Sequence, residues 1–449
     1  MRTRMRLLIV CVWAVFVSGC WFDGLLDRNV VAQANDRKLT VNALADVLAE
    51  GKVRLESDMV ERWAWSWLQS SLYAQRLAAG ETFMDTSTVL ETMWPEAMGW
   101  AIFHLAEREG LDTTAAVDSA FRVGDDRILD QILIRVPPGM MPEDKASLRR
   151  RAAGFHASLV AGVPWDTAVA RAGKLGRQVQ SGSLGLVGRG QLVPEVEEAG
   201  FSLAPGAVSD VVETSFGFHI LHRPRFDEVS VQYSTFVVNK VLERWKSQKR
   251  EDLLTSHGVR LEDGAADMLR EAVKHPMELL ATDRHDVISA YDGGQFTNRD
   301  FVHWLQALPI EEHMAADTAS DEGLRSLALR LIGNDLMYAE AQSEGVGPKE
   351  DEYAGISRTY TKRLAELRWA MRIDTMLVKA ATPAERMQVA ADAVDGYLKR
   401  EIKTLRDVRI VPPFLAQRLR DEAEWKFSYD ALDRAVERAR RLRARANGG

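Results

Sequence analysis

Apolar residues recur at helical spacing along most of this chain. From residue 30 to 124 the period is close to 3.6, with few strand signals. Thr40 stands as an N-cap ahead of Leu44, Val47 and Leu48. Met59, Trp63 and Trp67 fall on one helical face with Leu68 beside them, and Trp65 falls on another. A helix so rich in tryptophan either offers a contact surface to other chains or fills a helical core. Core filling is the simpler expectation.

The period changes near Asp130. Residues 130–136 read as a strand, 142–161 as a long helix striped by Leu148, Ala152, Phe155 and Leu159, and 165–172 as a shorter helix. Arg149, Arg150 and Arg151 read as the solvated face of the long helix. Three short apolar runs follow, at 184–187, 208–212 and 218–221, each bounded by glycine and proline in the manner of a small sheet. Pro194 suits the first turn of a helix, and Pro205-Gly206 a turn. Helical period resumes at 237–254. Further on, Thr382-Pro-Ala-Glu385 is a capping box, and Val411-Pro-Pro-Phe414 is a break. A long helix is expected from Asp421, arginine-rich over 438–445. That basic end suits anionic lipid or, more simply, the negative pole of its own helix.

From about Asp286 the sequence reads as beginning again in outline. Val287-Ile-Ser-Ala with Gln295-Phe-Thr-Asn-Arg-Asp-Phe301 echoes Val30-Val-Ala-Gln with Lys38-Leu-Thr-Val-Asn-Ala-Leu44. Met337-Tyr-Ala-Glu-Ala-Gln-Ser-Glu-Gly345 echoes Leu72-Tyr-Ala-Gln-Arg-Leu-Ala-Ala-Gly80. Lys249-Arg-Glu with Val259-Arg-Leu returns as Lys399-Arg-Glu with Val408-Arg-Ile. Echoes in the same order predict an internal duplication. One copy would comprise residues 30–124 and 227–272, the other 287–445.

Composition narrows the chemistry. With 449 residues the chain has material for about three domains. A net charge of −7 argues against a general nucleic-acid binder. Cys11 and Cys20 are its two cysteines, so neither a disulfide framework nor a thiolate metal site is expected further along. His219 and His222 lie three apart on an expected strand and so face opposite sides, unable to share a metal. No cofactor is implied.

The first residues read as a processing segment. Arg2, Arg4 and Arg6 precede an apolar run at 7–17 that is of signal-peptide length and too short to span a bilayer. It ends in Val17-Ser18-Gly19-Cys20, which resembles the bacterial lipoprotein lipobox. The resemblance implies removal of residues 1–19, acylation of Cys20, and a membrane-anchored protein on the outer side of the cytoplasmic membrane. Trp21 stands where an aspartate would favour inner-membrane retention, which points to the outer membrane.

Residues 181–223 carry the most specific signal. Leu184-Gly185, Gly190-Gln-Leu-Val-Pro-Glu-Val-Glu197, Pro205-Gly-Ala-Val-Ser209 and Phe216-Gly-Phe-His-Ile220 occur in order. Together they closely resemble the parvulin family of peptidyl-prolyl isomerases. That resemblance implies an α+β domain at 126–226 with a four-stranded antiparallel sheet. The flanking echoes look like the helical core of SurA-type periplasmic chaperones, in which a parvulin domain is spliced between two segments. The expected plan is then a signal peptide at 1–19, a helical segment at 20–125, the parvulin-like domain, a completing helical segment at 227–284 and a second helical domain at 285–449.

The same resemblance implies a site. Leu184, Leu192 and Val196 would form an apolar shelf for the proline ring, with Phe201 packed nearby. His219 and Thr214 occupy polar positions of the family. Gln131 stands where a first histidine is usual, and Leu175 near a usual cysteine or aspartate, so half the polar network is replaced. Three readings follow: an isomerase-chaperone acting on unfolded or proline-containing polypeptides, a holdase with a degenerate isomerase domain, and a structural lipoprotein subunit. The loop Val136-Pro-Pro-Gly-Met-Met141 has no basic cluster, which argues against phosphoserine-proline specificity.

Overall fold

The structure is a computed structural model that describes residues 27–51, 55–282, 284–404 and 409–447. Among them are ten strands: β1 (Val30–Ala34), β2 (Arg37–Thr40), β3 (Asp126–Arg135), β4 (Val179–Gly188), β5 (Val212–Thr214), β6 (Gly217–His222), β7 (Arg260–Leu261), β8 (Val287–Tyr291), β9 (Gly294–Thr297) and β10 (Trp425–Phe427). They form three antiparallel sheets, ordered β10-β1-β2, β4-β3-β6-β5 and β7-β8-β9. Helices make up most of the rest, so the fold is α+β, with a four-stranded sheet carried in a mainly helical scaffold. The chain divides into two units, one of residues 1–100, 257–332 and 347–449, the other of 101–256 and 333–346.

The second unit holds the four-stranded sheet. Side chains alternate along β3, so Ile132 and Ile134 point one way, with Phe218 and Ile220 of β6, into a core closed by the helices Pro142–Val160 and Trp165–Gly173. Leu148, Ala152 and Leu159 are the buried stripe of the first of these helices, and Arg149–Arg151 lie in solvent. The other sheet face takes the Pro194–Ser202 helix, and there Leu129, Val187 and Phe201 form a smaller apolar cluster. The long Phe226–Ser256 helix packs Tyr233 and Val237 on Val117 and Ile128, with Phe121 and Phe226 edge-on to the Tyr233 ring.

One expected strand is displaced. The run at 208–212 makes a single bridge, Val208 to His222, and the regular strand is β5. Ser209 explains the break: its amide donates to the Leu221 carbonyl and its hydroxyl accepts from the Leu221 amide, so one residue uses both ladder groups and the chain turns away.

In the first unit the Ser57–Ala78 helix is buried on nearly every side from Trp63 to Gln75, its serines and glutamines included. Trp63, Trp65 and Trp67 are 5%, 3% and 2% exposed, so the tryptophans are core and offer no free surface. Trp65 stacks on Phe427 at 4.4 Å and meets Trp425 edge-on at 5.7 Å. The Trp67 indole donates to Asp395, and Arg37 lies over its ring.

The two hairpins of this unit are alike in detail. Val30 pairs with Thr40 and Val287 with Thr297; both ladders slip at the next position and resume, as Ala32 with Leu39 and Ser289 with Phe296. Thr40 and Thr297 each cap a ten-residue helix, Val41–Glu50 and Asn298–Ala307, by accepting a backbone N–H. Their third strands are exchanged, however. The first hairpin is completed by β10 from the chain's far end, and the second by β7, which follows the Phe226–Ser256 helix. This departs from the expected pairing of segments 30–124 and 227–272. The third sequence echo ends at Val408, outside the described residues, and the fold counterpart of β7 is β10.

The tail differs similarly. It begins with β10, and the helix proper runs Tyr429–Asn447. Three alternating residues are too short a run to signal a strand. Two of its arginines are spent inside the unit: Arg443 donates to the Leu48 and Gly51 carbonyls at the end of the Val41–Glu50 helix, and Arg440 to the Leu55 carbonyl. The expected capping box at Thr382 and Glu385 is present in both directions.

One glycine fixes the β5–β6 turn. Gly217 has φ of +141°, and a Cβ there would lie 2.1 Å from the Ile134 carbonyl oxygen. Gly217→Ala is therefore expected to destabilise the sheet-bearing unit by more than about 3 kcal/mol, measured by denaturant unfolding of the full chain.

Candidate active site

The site lies on the sheet face opposite the two-helix core. Leu133 pairs with His219 and Gln131 with Leu221 across β3 and β6, and Val212 pairs with His219 across β5 and β6. Residues paired in this way share a face, so Gln131, His219 and Thr214 fall on one side of the sheet by register alone.

Their side chains meet. His219 is 5% exposed; its Nδ1 lies 3.1 Å from Gln131 Oε1 and its Nε2 lies 2.8 Å from Thr214 Oγ1. The Phe216 amide donates to Thr214 Oγ1 at 3.1 Å. These contacts form one consistent row in which Phe216 N–H donates to Thr214, the Thr214 hydroxyl donates to Nε2, and Nδ1–H donates to Gln131. The distances would also suit an imidazolium donating to both oxygens, and the row as written is that of a neutral imidazole protonated at Nδ1. Burial agrees, since it holds the His219 pKa below the ordinary histidine value, opposed in part by the Glu195 carboxylate. The Gln131 amide nitrogen finds no hydrogen-bond partner among the described residues.

The apolar shelf is only partly open. Leu184 and Leu192 are half-buried against the Leu129, Val187 and Phe201 cluster. Val196 and Phe201 are 3% and 7% exposed, so neither adds to the surface that was expected of Val196. Gly200 accounts for this. A Cβ there would stand 2.5 Å from Leu129 Cδ1, so its absence lets the Pro194–Ser202 helix settle onto the sheet and draw both side chains beneath it. Leu175 precedes β4 at 40% exposure and has no polar atom to add to the row.

Several residues escaped the sequence reading. Arg127 donates to the carbonyls of Gly124, Gly200, Phe201 and Leu203, closing the end of the Pro194–Ser202 helix, and its guanidinium lies 5.0 Å from the Phe201 ring. Arg189 covers the same ring at 4.7 Å. Gln191 and Glu197 accept the Gly188 and Gly190 amides and fix the loop that carries Leu192. A glycine inside an expected helix was the one available signal for the close approach at Gly200. His222 is on the other face, stacked on Trp165 at 4.8 Å and 3.4 Å from Asp130, so it takes no part. Among the described residues no group of three His, Cys, Asp or Glu side chains is placed to hold a metal ion.

Residues 132–224 match the family described as Rotamase, PPIC-type PPIASE domain. The chain is 38% identical over 123 residues to the chaperone SurA of Cupriavidus metallidurans, covering 26% of this chain and 24% of that one. It is 40% identical over 76 residues to the foldase protein PrsA of Staphylococcus epidermidis, covering 17% and 23% respectively. The crystal structure of PrsA from Bacillus subtilis aligns at 19% identity and a TM-score of 0.20, over 48% of this chain and 87% of that one. The chain thus spans about a quarter of the length of the curated relatives it matches. Between Ile132 and Pro224 the chain carries a PPIC-type, parvulin rotamase domain, and it resembles the SurA-type chaperones.

Proposed function

We propose that the protein is a lipid-tethered envelope isomerase-chaperone that binds unfolded, proline-containing polypeptides and speeds cis–trans isomerisation of their X–Pro bonds. The observation that carries this reading is the neutral row Gln131–His219–Thr214 beside the half-buried Leu184 and Leu192. Twisting an amide costs about 20 kcal/mol because resonance is lost, and no bond need break. A catalyst has only to favour the twisted form over both planar ones. Leu184 and Leu192 supply a dry surface for the proline ring. The Gln131 amide, held in place by His219, supplies a fixed donor that needs no reorientation as the carbonyl turns. The Thr214 anchor keeps the imidazole from rotating out of the row.

A second reading, a holdase with weak or no catalysis, is favoured by the burial of Val196 and Phe201, which leaves the shelf narrow. An isomerisation assay on the full chain with a proline tetrapeptide separates the two. As an isomerase, the wild type beats the uncatalysed rate, and His219→Ala and Gln131→Leu each lower kcat/KM by about tenfold, or about 1.4 kcal/mol of barrier. A wild-type rate equal to background rules catalysis out and leaves the holdase.

The lowered His219 pKa fixes the pH dependence. A free histidine takes up its proton near about 6.5, whereas this one resists doing so. From pH 8 down to about 6.5 the row stays neutral and kcat/KM should be flat. Below that, protons bind the unfolded chain first, so stability falls with pH, and activity follows as the imidazole charges. His219→Asn should flatten the acid limb of the stability curve measured by thermal unfolding.

The tether is proposed from Val17-Ser18-Gly19-Cys20, which lies outside the described residues. No helix among the described residues is long and apolar enough to cross a membrane. If acylated Cys20 is the anchor, the full chain expressed in a lipoprotein-processing bacterium partitions with membranes, and Cys20→Ser moves it to the soluble fraction.

A further inference from the structure

The helical unit contains an open cavity of about 570 Å³ that the isomerase chemistry does not use. It lies where the Glu350–Met371 helix ends, the short Ile373–Leu377 helix begins and the Pro383–Thr404 helix passes. Arg368, Trp369, Arg372, Tyr397, Arg400 and Arg409 line it. Four guanidiniums face two carboxylates there, those of Asp374 and Glu401. Arg368 is committed to Asp374 at 2.7 and 2.8 Å, and Arg409 to Glu366 outside the cavity. Arg400 donates to the Ala370 carbonyl and stands within the field of Arg372.

Arg372 is the anomaly. Its side chain is exposed and has no ion pair or hydrogen bond with any described residue. Its backbone is left-handed, with φ of +60°, at the position after a helix where glycine is normal. Two other non-glycine residues share that conformation, and each has a local reason. Asn35 turns a hairpin, and Phe83 is buried on Tyr73. Arg372 has no packing reason to be there. Beside it Trp369 is 76% exposed, more open than Trp100, Phe216 or Phe236, the other exposed aromatics among the described residues. An uncommitted cation at a strained position, next to an open indole, suits a ligand with a negative group and a flat apolar one.

We propose that this cavity binds an acidic–aromatic segment of an unfolded polypeptide, with a carboxylate between Arg372 and Arg400 and a ring against Trp369. The proposal rests on the reading of the protein as one that handles unfolded polypeptides, and adds a client-holding site remote in sequence from the isomerase domain. A bare phosphate would leave Trp369 in water. A nucleotide polyphosphate would crowd more charge beside Asp374 and Glu401 than Arg372 and the carbonyl-bonded Arg400 offset. A side-chain carboxylate two or so residues from a ring meets both features at once.

The test uses the full chain and a fluorescein-labelled peptide containing Asp-Phe-Asp, read by anisotropy, with the Asn-Phe-Asn peptide, orthophosphate and ATP as comparisons. The acidic peptide should bind, its asparagine counterpart about tenfold more weakly, and added salt should weaken the difference. Arg372→Gly is the decisive variant because it relieves the strained backbone. It should raise the melting temperature by about 2 °C while weakening the peptide about tenfold. Trp369→Ser should weaken it as well, and both variants should isomerise the proline tetrapeptide at the wild-type rate. Equal binding by Arg372→Gly, no binding by the wild type, or tighter binding of orthophosphate or ATP than of the peptide overturns the proposal. A wild type that binds the peptide yet fails to isomerise sinks the isomerase reading and leaves this site standing.

Discussion

The register between β3 and β6 is the constraint on which the isomerase domain depends. Leu133 opposite His219, with Ile132 opposite Ile220, places the polar row on one face and the two-helix core on the other. A slip of one residue would exchange them, sending His219 into a core of Ile, Leu and Phe and exposing Ile132 and Ile220. The register is pinned at the turn by Gly217, where no side chain fits against the Ile134 carbonyl, and at the far end by Asp130 opposite His222. The candidate site and the core are thus fixed by the same ladder. The row can be polar because its neighbours satisfy it, and it can be buried because it carries no charge.

The same ladder explains which parts of the site were legible in the sequence. Parity along a strand is exact, so the separation of His219 from His222 followed from their spacing, and the structure stacks His222 on Trp165 behind the sheet. The motif residues gave the polar partners because hydrogen-bonding groups are tied to position. Exposure was harder to read. Whether Val196 lies open or covered depends on how closely the Pro194–Ser202 helix approaches, and that distance is set by Gly200 against Leu129, far away in sequence. Arg127 was invisible for the same reason, since its carbonyl partners at 200, 201 and 203 lie more than seventy residues on.

In the helical scaffold, local signals again did well and long-range ones did not. The caps at Thr40, Thr297 and Thr382 and the buried tryptophan helix are properties of short windows. The exchange of third strands is not. Both hairpins keep the same bulge at the same place, a detail with no evident role in packing that a duplication would carry along. Yet β1 is completed by the chain's end and β8 by the segment after the long helix, so each half supplies the other's edge. Until Trp425–Phe427 pair with it, β1 keeps one open ladder edge beside β2. Trp65, stacked on Phe427, makes that pairing apolar as well as hydrogen-bonded.

The replacement of a histidine by Gln131 gains meaning in this setting. Two coupled imidazoles would share protons and shift between charge states near neutral pH. Glutamine can hold His219 through the same Nδ1 contact without titrating, while burial holds the imidazole's own pKa below the ordinary value. What is lost is a second site for tuning polarity, and with Val196 and Phe201 covered the shelf is modest too. If the proposed isomerase reading holds, so modest a shelf leaves affinity to be supplied elsewhere in the chain, as at the proposed site of Arg372 and Trp369.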